Sequence, residues 1–211
     1  GGGFLLLEKK LITTLSIVNE MLGLLGELPV NDLDAFHPVV PRALASIDTA
    51  QSTIQSDQWW FNVERPTLVP QVGTKYILLP SDCLSVDSFA RTPNVSMRDG
   101  RLYNNDDSTY EFDDEVQVIL HRLVAFDDLP MSARAYVGAE ALLHFQNSID
   151  GDAVKTQLLT DRRTRAYITF NSEHIRRVKA NMLTRPGVAL ALSNIVGYRR
   201  NFSGNRRARY R

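Results

Sequence analysis

The residues best suited to paired acid–base chemistry are Asp127-Asp128 and the run Asp113-Asp114-Glu115. Two carboxylates flanking a glycosidic bond can act as general acid and base, one protonating the leaving oxygen while the other activates water. That chemistry needs one carboxyl kept in an apolar setting, and no pocket residue is fixed beside either group. Solvated loop acids are the plainer reading. The four histidines, His37, His121, His144 and His174, share no spacing of four, and no HExxH occurs. His37 at a helix start and His144 on a buried helix read as structural. There is no GxSxG, no phosphate-binding GxxxxGK[ST] and no GxGxxG. The single cysteine, Cys83, excludes an internal disulfide and a Cys-rich metal site, and reads as a small residue in a half-buried strand. No metal and no cofactor are expected.

The C-terminal end carries a different chemistry. Residues 185–211 hold 7 arginines and no acid, and RRNFSGNRRARYR interleaves arginine with aromatic residues. Such a segment can grip phosphates and stack on bases. It can equally be a solubilising end, or an arm that orders on an acidic protein partner. The balance is acidic in the middle, where residues 56–131 carry 6 basic and 13 acidic groups, and the whole chain nets to zero. Zero overall charge favours neither a nucleic-acid binder nor a membrane-surface protein. With 211 residues the chain can bury a real core. The opening GGGFLLLEKK lacks the form of a secretory signal, whose charges precede its apolar stretch. No apolar run approaches the roughly 20 residues of a membrane span, so a soluble protein is expected.

The elements that must hold these groups follow from periodicity. Leu11, Leu15, Val18, Leu22 and Leu25 predict an amphipathic helix, stopped at Gly26 with Pro29 just beyond. A second helix is predicted from about Pro38 to Asp57, with Val40, Leu44, Ile47 and Ile54 inward and both prolines in its first turn. At SDQWWFNVE the period changes to two, predicting a strand with Trp59, Phe61 and Val63 on a core face and Trp60, Asn62 and Glu64 outward. Short strands follow at about 74–79, 83–90, 95–98, 101–104 and in EVQVILHRL, with Asp99-Gly100 as a hairpin turn. From Pro130 helix returns, buried nearly all round over 135–145. Asp152 is a plausible N-cap for a long basic helix to about Leu183, with Val154, Leu158, Ile175, Val178 and Met182 inward and a possible interruption at Asn171-Ser172. The fold class is α+β. Residues 1–57 and 130–184 form a helical bundle of two N-terminal and two C-terminal helices, 58–129 an inserted lobe of short antiparallel strands, and 185–211 an extended basic arm.

LSIVNEMLGLLGELPV (15–30), QWWFNVE (58–64), LPSDCLSVD (79–87), MRDGRLYNN (97–105) and HRLVAFDDLPMSARAYVGAEALLHF (121–145) follow one another in a familiar order. Together they resemble the tail tubular protein A family, the gatekeepers or head-to-tail adaptors of short-tailed bacteriophages (podoviruses). The family pattern has Gly-Trp, a small polar residue, then Phe-Asn. On that register Gln58 replaces the glycine, Trp59 is the family tryptophan, and Trp60 replaces the small polar residue. The Gly-rich start and the arginine tail depart from the pattern.

The resemblance implies a structural role without catalysis. Family members look like wedges of a twelve-membered ring, a homo-oligomer in the virion, between the capsid portal and the tail nozzle (tail tubular protein B). DNA passes through the channel without sequence-specific binding, and a tail fibre docks near the β lobe. Portal-contact candidates are Arg185, Arg199, Arg200, Arg206, Arg207, Arg209 and Tyr210. Ring or nozzle interface candidates are Trp60, Glu64, Asp99 and Arg101. The implied location is the virion tail, at the head-to-tail interface, after synthesis in the host bacterial cytoplasm. The competing expectations are a cell-wall (peptidoglycan) hydrolase using the acid pairs, and a DNA-binding protein acting through the Arg-rich tail.

Overall fold

The computed structural model describes residues 12–34, 36–89, 93–149 and 151–183. It contains four α-helices and small antiparallel sheets, an α+β chain: α1 (Thr14–Leu24), α2 (Val40–Gln55), α3 (Met131–Ile149) and α4 (Ala153–Leu183). The strands are β1 (Val63–Glu64), β2 (Thr67–Leu68), β3 (Cys83–Ser88), β4 (Val95–Arg98), β5 (Arg101–Asn104) and β6 (Val116–Arg122). The described residues up to Phe170 belong to one compact unit, and those from Asn171 to another.

Local signals set the helix ends. Thr13 caps α1 in a reciprocal capping box with Ser16, and the Asp127 carboxylate accepts from Thr14 N and Oγ1 at 2.9 and 3.0 Å. One of the acids weighed for catalysis is thus a helix cap. At the other end Gly26 takes φ +76 and Glu27 N returns to Leu22 O at 3.0 Å, closing the helix as only a left-handed residue permits. Asp152 caps α4, its carboxylate accepting from Val154 N and Lys155 N at 2.8 and 3.1 Å. Those backbone donors, Lys155 first, hold its carboxyl below the usual range. α4 runs through Asn171-Ser172 without a break.

Two apolar clusters result. The first joins Ile17, Val18, Met21 and Leu22 of α1 to Ala43 and Ile47 of α2, Val137, Leu142 and Phe145 of α3, and Leu159 and Phe170 of α4. α1 and α3 cross so closely that a Cβ on Gly138 would lie 2.7 Å from Ile17 Cδ1, so glycine is what lets them touch. The second holds Ile77, Val86, Leu102, Phe112, Val116, Val118 and Leu120. Its spine is β6, which pairs antiparallel with β3 on one side and with β1 and β2 on the other. β4 and β5 form a hairpin whose turn residues Asp99 and Gly100 both have positive φ (51 and 66), the twist a two-residue hairpin requires.

Three expectations are corrected. The segment predicted as strand 74–79 makes only two isolated bridges, Tyr76 to Glu111 and Leu78 to Arg101, although Ile77 and Leu79 are buried as alternation demands. The inward stripe of α4 is a different one. Leu159, Ala166 and Phe170 pack on the helical cluster, whereas Val154 and Leu158 are exposed. Ile175 and Val178, in the second unit, are exposed too, and the Met182 side chain lies outside the described residues. The helix carries two apolar stripes, and the one bearing the large aromatic ring wins the core. Finally, His144 lies exposed, 3.4 Å from Ser46 Oγ. The buried histidine is His121, with Ser85 Oγ 2.6 Å from its Nδ1 and Asp87 Oδ2 3.7 Å from its Nε2.

Candidate interaction surfaces

The WWFN segment is a turn, with regular strand beginning only at Val63. The predicted alternation therefore fails, and the polar member is the most buried: Asn62 is 1% exposed. Its Oδ1 accepts from Trp59 N at 2.9 Å, and its Nδ2 donates to Gln55 O at 2.8 Å and Asp57 O at 3.3 Å. Trp59 Nε1 donates to Ile54 O at 2.6 Å. Trp60, expected to face outward as an interface anchor, is partly buried on the helical cluster. Phe61 lies edge-on to it at 5.2 Å, and the Trp60 ring centroid is 5.4 Å from that of Phe170. A tight turn rotates consecutive side chains by less than the half-turn of a strand, so three aromatics can share one side.

Beside the turn, buried Gln55 closes a two-bond clasp: its Nε2 donates to Val124 O at 2.9 Å and its Oε1 accepts from Val124 N at 2.8 Å. Arg122 N donates to Asn62 O at 2.8 Å. The chain thus leaves α2 for the strands and comes back from β6 through one amide-lined joint. Periodicity pointed to neither Gln55 nor Asn62; for Asn62 the Phe-Asn step of the family pattern was the available signal.

The joint is extended by an ion network. Arg122 reaches Asp82 at 2.6 Å and Glu64 at 3.1 Å, so Glu64, an interface candidate, already has a partner. The Arg122 hydrogen bond holds the Asp82 carboxyl below the usual carboxylate range. A depressed carboxyl stabilises the fold above its unfolded value, near 4, and that contribution disappears as pH falls through the folded value. Asp82→Asn should therefore lower stability at pH 7 and converge with the parent as pH drops below about 4. Because Asp82 is 40% exposed, solvent screening limits the gap to under about 1 kcal/mol. Paired denaturation curves at pH 7 and pH 3 measure it, and a gap that widens with acid would contradict the assignment. Burial pushes the Cys83 thiol upward, as for an inert structural cysteine.

The tip of the β4–β5 hairpin is the best-formed surface cluster. The Arg98 guanidinium sits 3.7 Å over the Tyr103 ring, and that of Arg101 lies 4.6 Å from Tyr110 and 5.3 Å from Tyr76. Tyr103 and Tyr110 meet edge-on at 4.9 Å, and Arg101 pairs with Asp99 at 2.9 Å. Arg, Tyr and nearby exposed Met97 are residue types that protein interfaces favour. Holding the guanidinium groups on rings in advance reduces the ordering cost of binding. Asp99 and Arg101 were legible from the turn; Tyr76 and Tyr110 come from separate segments and were not. The other candidates, Arg185, Arg199, Arg200, Arg206, Arg207, Arg209 and Tyr210, lie outside the described residues.

Two of the five acids weighed for catalysis are otherwise engaged: Asp127 caps a helix, and Asp113 pairs with Lys75 at 2.6 Å. Among the described residues no three His, Cys, Asp or Glu side chains gather as a metal site, and no helix is long and apolar enough to cross a membrane. These features describe an α+β protein built around a pinned joint and a cation–aromatic surface. A family model for tail tubular proteins matches residues 15–179, and the chain belongs to that family, the structural tail proteins of short-tailed bacteriophages. Over 140 residues it is 26% identical to "Tail tubular protein A" of Klebsiella phage KP34, covering 66% of this chain and 75% of that protein. The family is structural, and the protein is a tail component and not an enzyme.

Proposed function

We propose that this tail protein is the gatekeeper, an adaptor ring of twelve copies between the capsid portal and the tail nozzle. The family match across residues 15–179 carries this reading, and the uneven charge supports it, because one adaptor must meet different partners at its two ends. In this reading residues 1–57 and 130–184 form the bundle, 58–129 the inserted lobe and 185–211 the arm. The bundle and arm face the portal, with Arg206, Arg207 and Arg209 meeting portal carboxylates. Glu64 and the Asp99–Arg101 tip face the nozzle and the fibre zone, and DNA passes through the ring without sequence readout. The protein is made in the host cytoplasm before it joins the virion.

The test is electron microscopy of the protein mixed with its cognate portal. Twelve-fold density capping the portal, lost on removing residues 185–211 from a chain that still folds, is the expected result. A truncated chain that docks equally well overturns the role of the arm. A folded, intact chain that never associates with the portal overturns the adaptor reading.

A further inference from the structure

Two exposed surfaces of the first unit have no use in the fold described so far. A groove of about 370 Å³ opens where the chain enters α2, lined by Leu33, Phe36, Pro38, Val40, Pro41 and Leu44. Phe36 stands fully in solvent (107% exposed). Asp34 and His37 also line it, and Asp32 lies two residues before Asp34; both aspartates are exposed and engage no partner among the described residues, and no Lys or Arg lies between Lys10 and Arg42. The second surface is the outer stripe of α4. Val154 (71% exposed) and Leu158 (66%) lie one turn apart on the side away from Leu159 and Phe170. Arg165, seven residues beyond Leu158 and so on the same stripe, is exposed and has no acidic partner among the described residues. Asp161 also lies on this stripe, where Gln157 donates to it at 3.1 Å.

An exposed phenylalanine and two exposed aliphatics on one helix face are what folding normally hides, and patches of this kind mark interaction sites. Here the two patches are unlike: the rim of the groove carries acids, and the stripe carries Arg165, free of an acidic partner among the described residues, beside Asp161, which accepts from Gln157. One is a concave acidic-rimmed groove; the other is a convex apolar stripe continued by an arginine. A pair of different, complementary faces on one chain is what head-to-tail association uses.

We infer that the occupant of the α2 groove is the outer stripe of α4 from a second copy of this chain, with Val154 and Leu158 against Phe36 and Arg165 toward Asp32 and Asp34. This contact replaces Trp60 as the side-to-side anchor of the ring, and it rests on the adaptor reading for its closure into a ring. Because each copy offers one groove and one stripe, every copy engages two neighbours.

A full-length chain carrying both Phe36→Cys and Leu158→Cys tests it, with buried Cys83 left in place and folding checked by circular dichroism. Mild oxidation, with and without cognate portal particles, should give a ladder of dimers, trimers and longer species on a denaturing gel. A 1:1 mixture of the two single-cysteine chains should give mixed dimers and nothing longer. A chain with Phe36→Cys and exposed Ser81→Cys reports random collision. The inference is overturned if the Phe36/Leu158 chain forms no more ladder than that control under both conditions. It is also overturned if each single-cysteine chain links to itself as readily as to the other. Rings that cap the portal without a ladder would leave the adaptor reading standing and remove this interface alone. A ladder without portal capping would do the reverse.

Discussion

Asn62→Leu should destabilise the protein by about 2–4 kcal/mol, read as a lower denaturant midpoint with an unchanged slope. Leucine matches the volume but makes none of the three side-chain hydrogen bonds, to Trp59 N, Gln55 O and Asp57 O. Each buried group stranded without a partner costs about 1–3 kcal/mol, and the buried amide sits where water cannot readily replace it. Asn62→Asp separates the donor from the acceptor: it keeps the contact with Trp59 N but turns a carboxylate oxygen toward the carbonyls of Gln55 and Asp57. It should be at least as damaging at pH 7. A loss below about 0.5 kcal/mol for both variants would mean that the turn is held by its aromatics alone, since surface substitutions fall within that range.

Phe170→Ala should cost about 3–5 kcal/mol, the range for a large ring removed from a closed core. Phe170 is 0% exposed, with ring centroids of Trp59, Tyr136 and Trp60 at 4.4, 5.5 and 5.4 Å. The loss includes the aromatic pair energies as well as the buried area. Trp59 and Trp60 are the only tryptophans in the chain, so native-state fluorescence reports directly on this cluster. The emission should shift to the red in Phe170→Ala, and much less in Phe170→Leu, which leaves a smaller void. An unshifted spectrum with full stability would show that α4 is not anchored by this ring.

These two residues also mark how far the sequence could be read. The C-terminal stop of α1 followed from Gly26, the hairpin from Asp99-Gly100, and the α4 cap from Asp152, because each is decided by its own neighbours. Asn62 and Phe170 are decided by distant ones. A buried amide reads as an outward polar residue until the chain returning from β6 is placed beside it. A helix with two apolar stripes gives no internal reason to prefer the one holding Phe170; the choice belongs to the aromatics of the turn and Tyr136 of α3. The same limit governed the surfaces. The turn located Asp99 and Arg101, while Tyr76 reaches the tip through its bridge to distant Glu111, and Tyr110 sits between bridged Thr109 and Glu111. Trp60 was misplaced because a strand period was extended across a turn.

The joint has a mechanical consequence. The two backbone passages between helices and strands lie side by side, fastened by Gln55 to both polar groups of Val124, by Asn62 across the turn, and by Arg122 N to Asn62 O. A force pulling the sheet away from the helices would load these bonds together. They would share the strain and fail as a block, so the strands should behave as a stiff lever on the helices and not as a tethered flap.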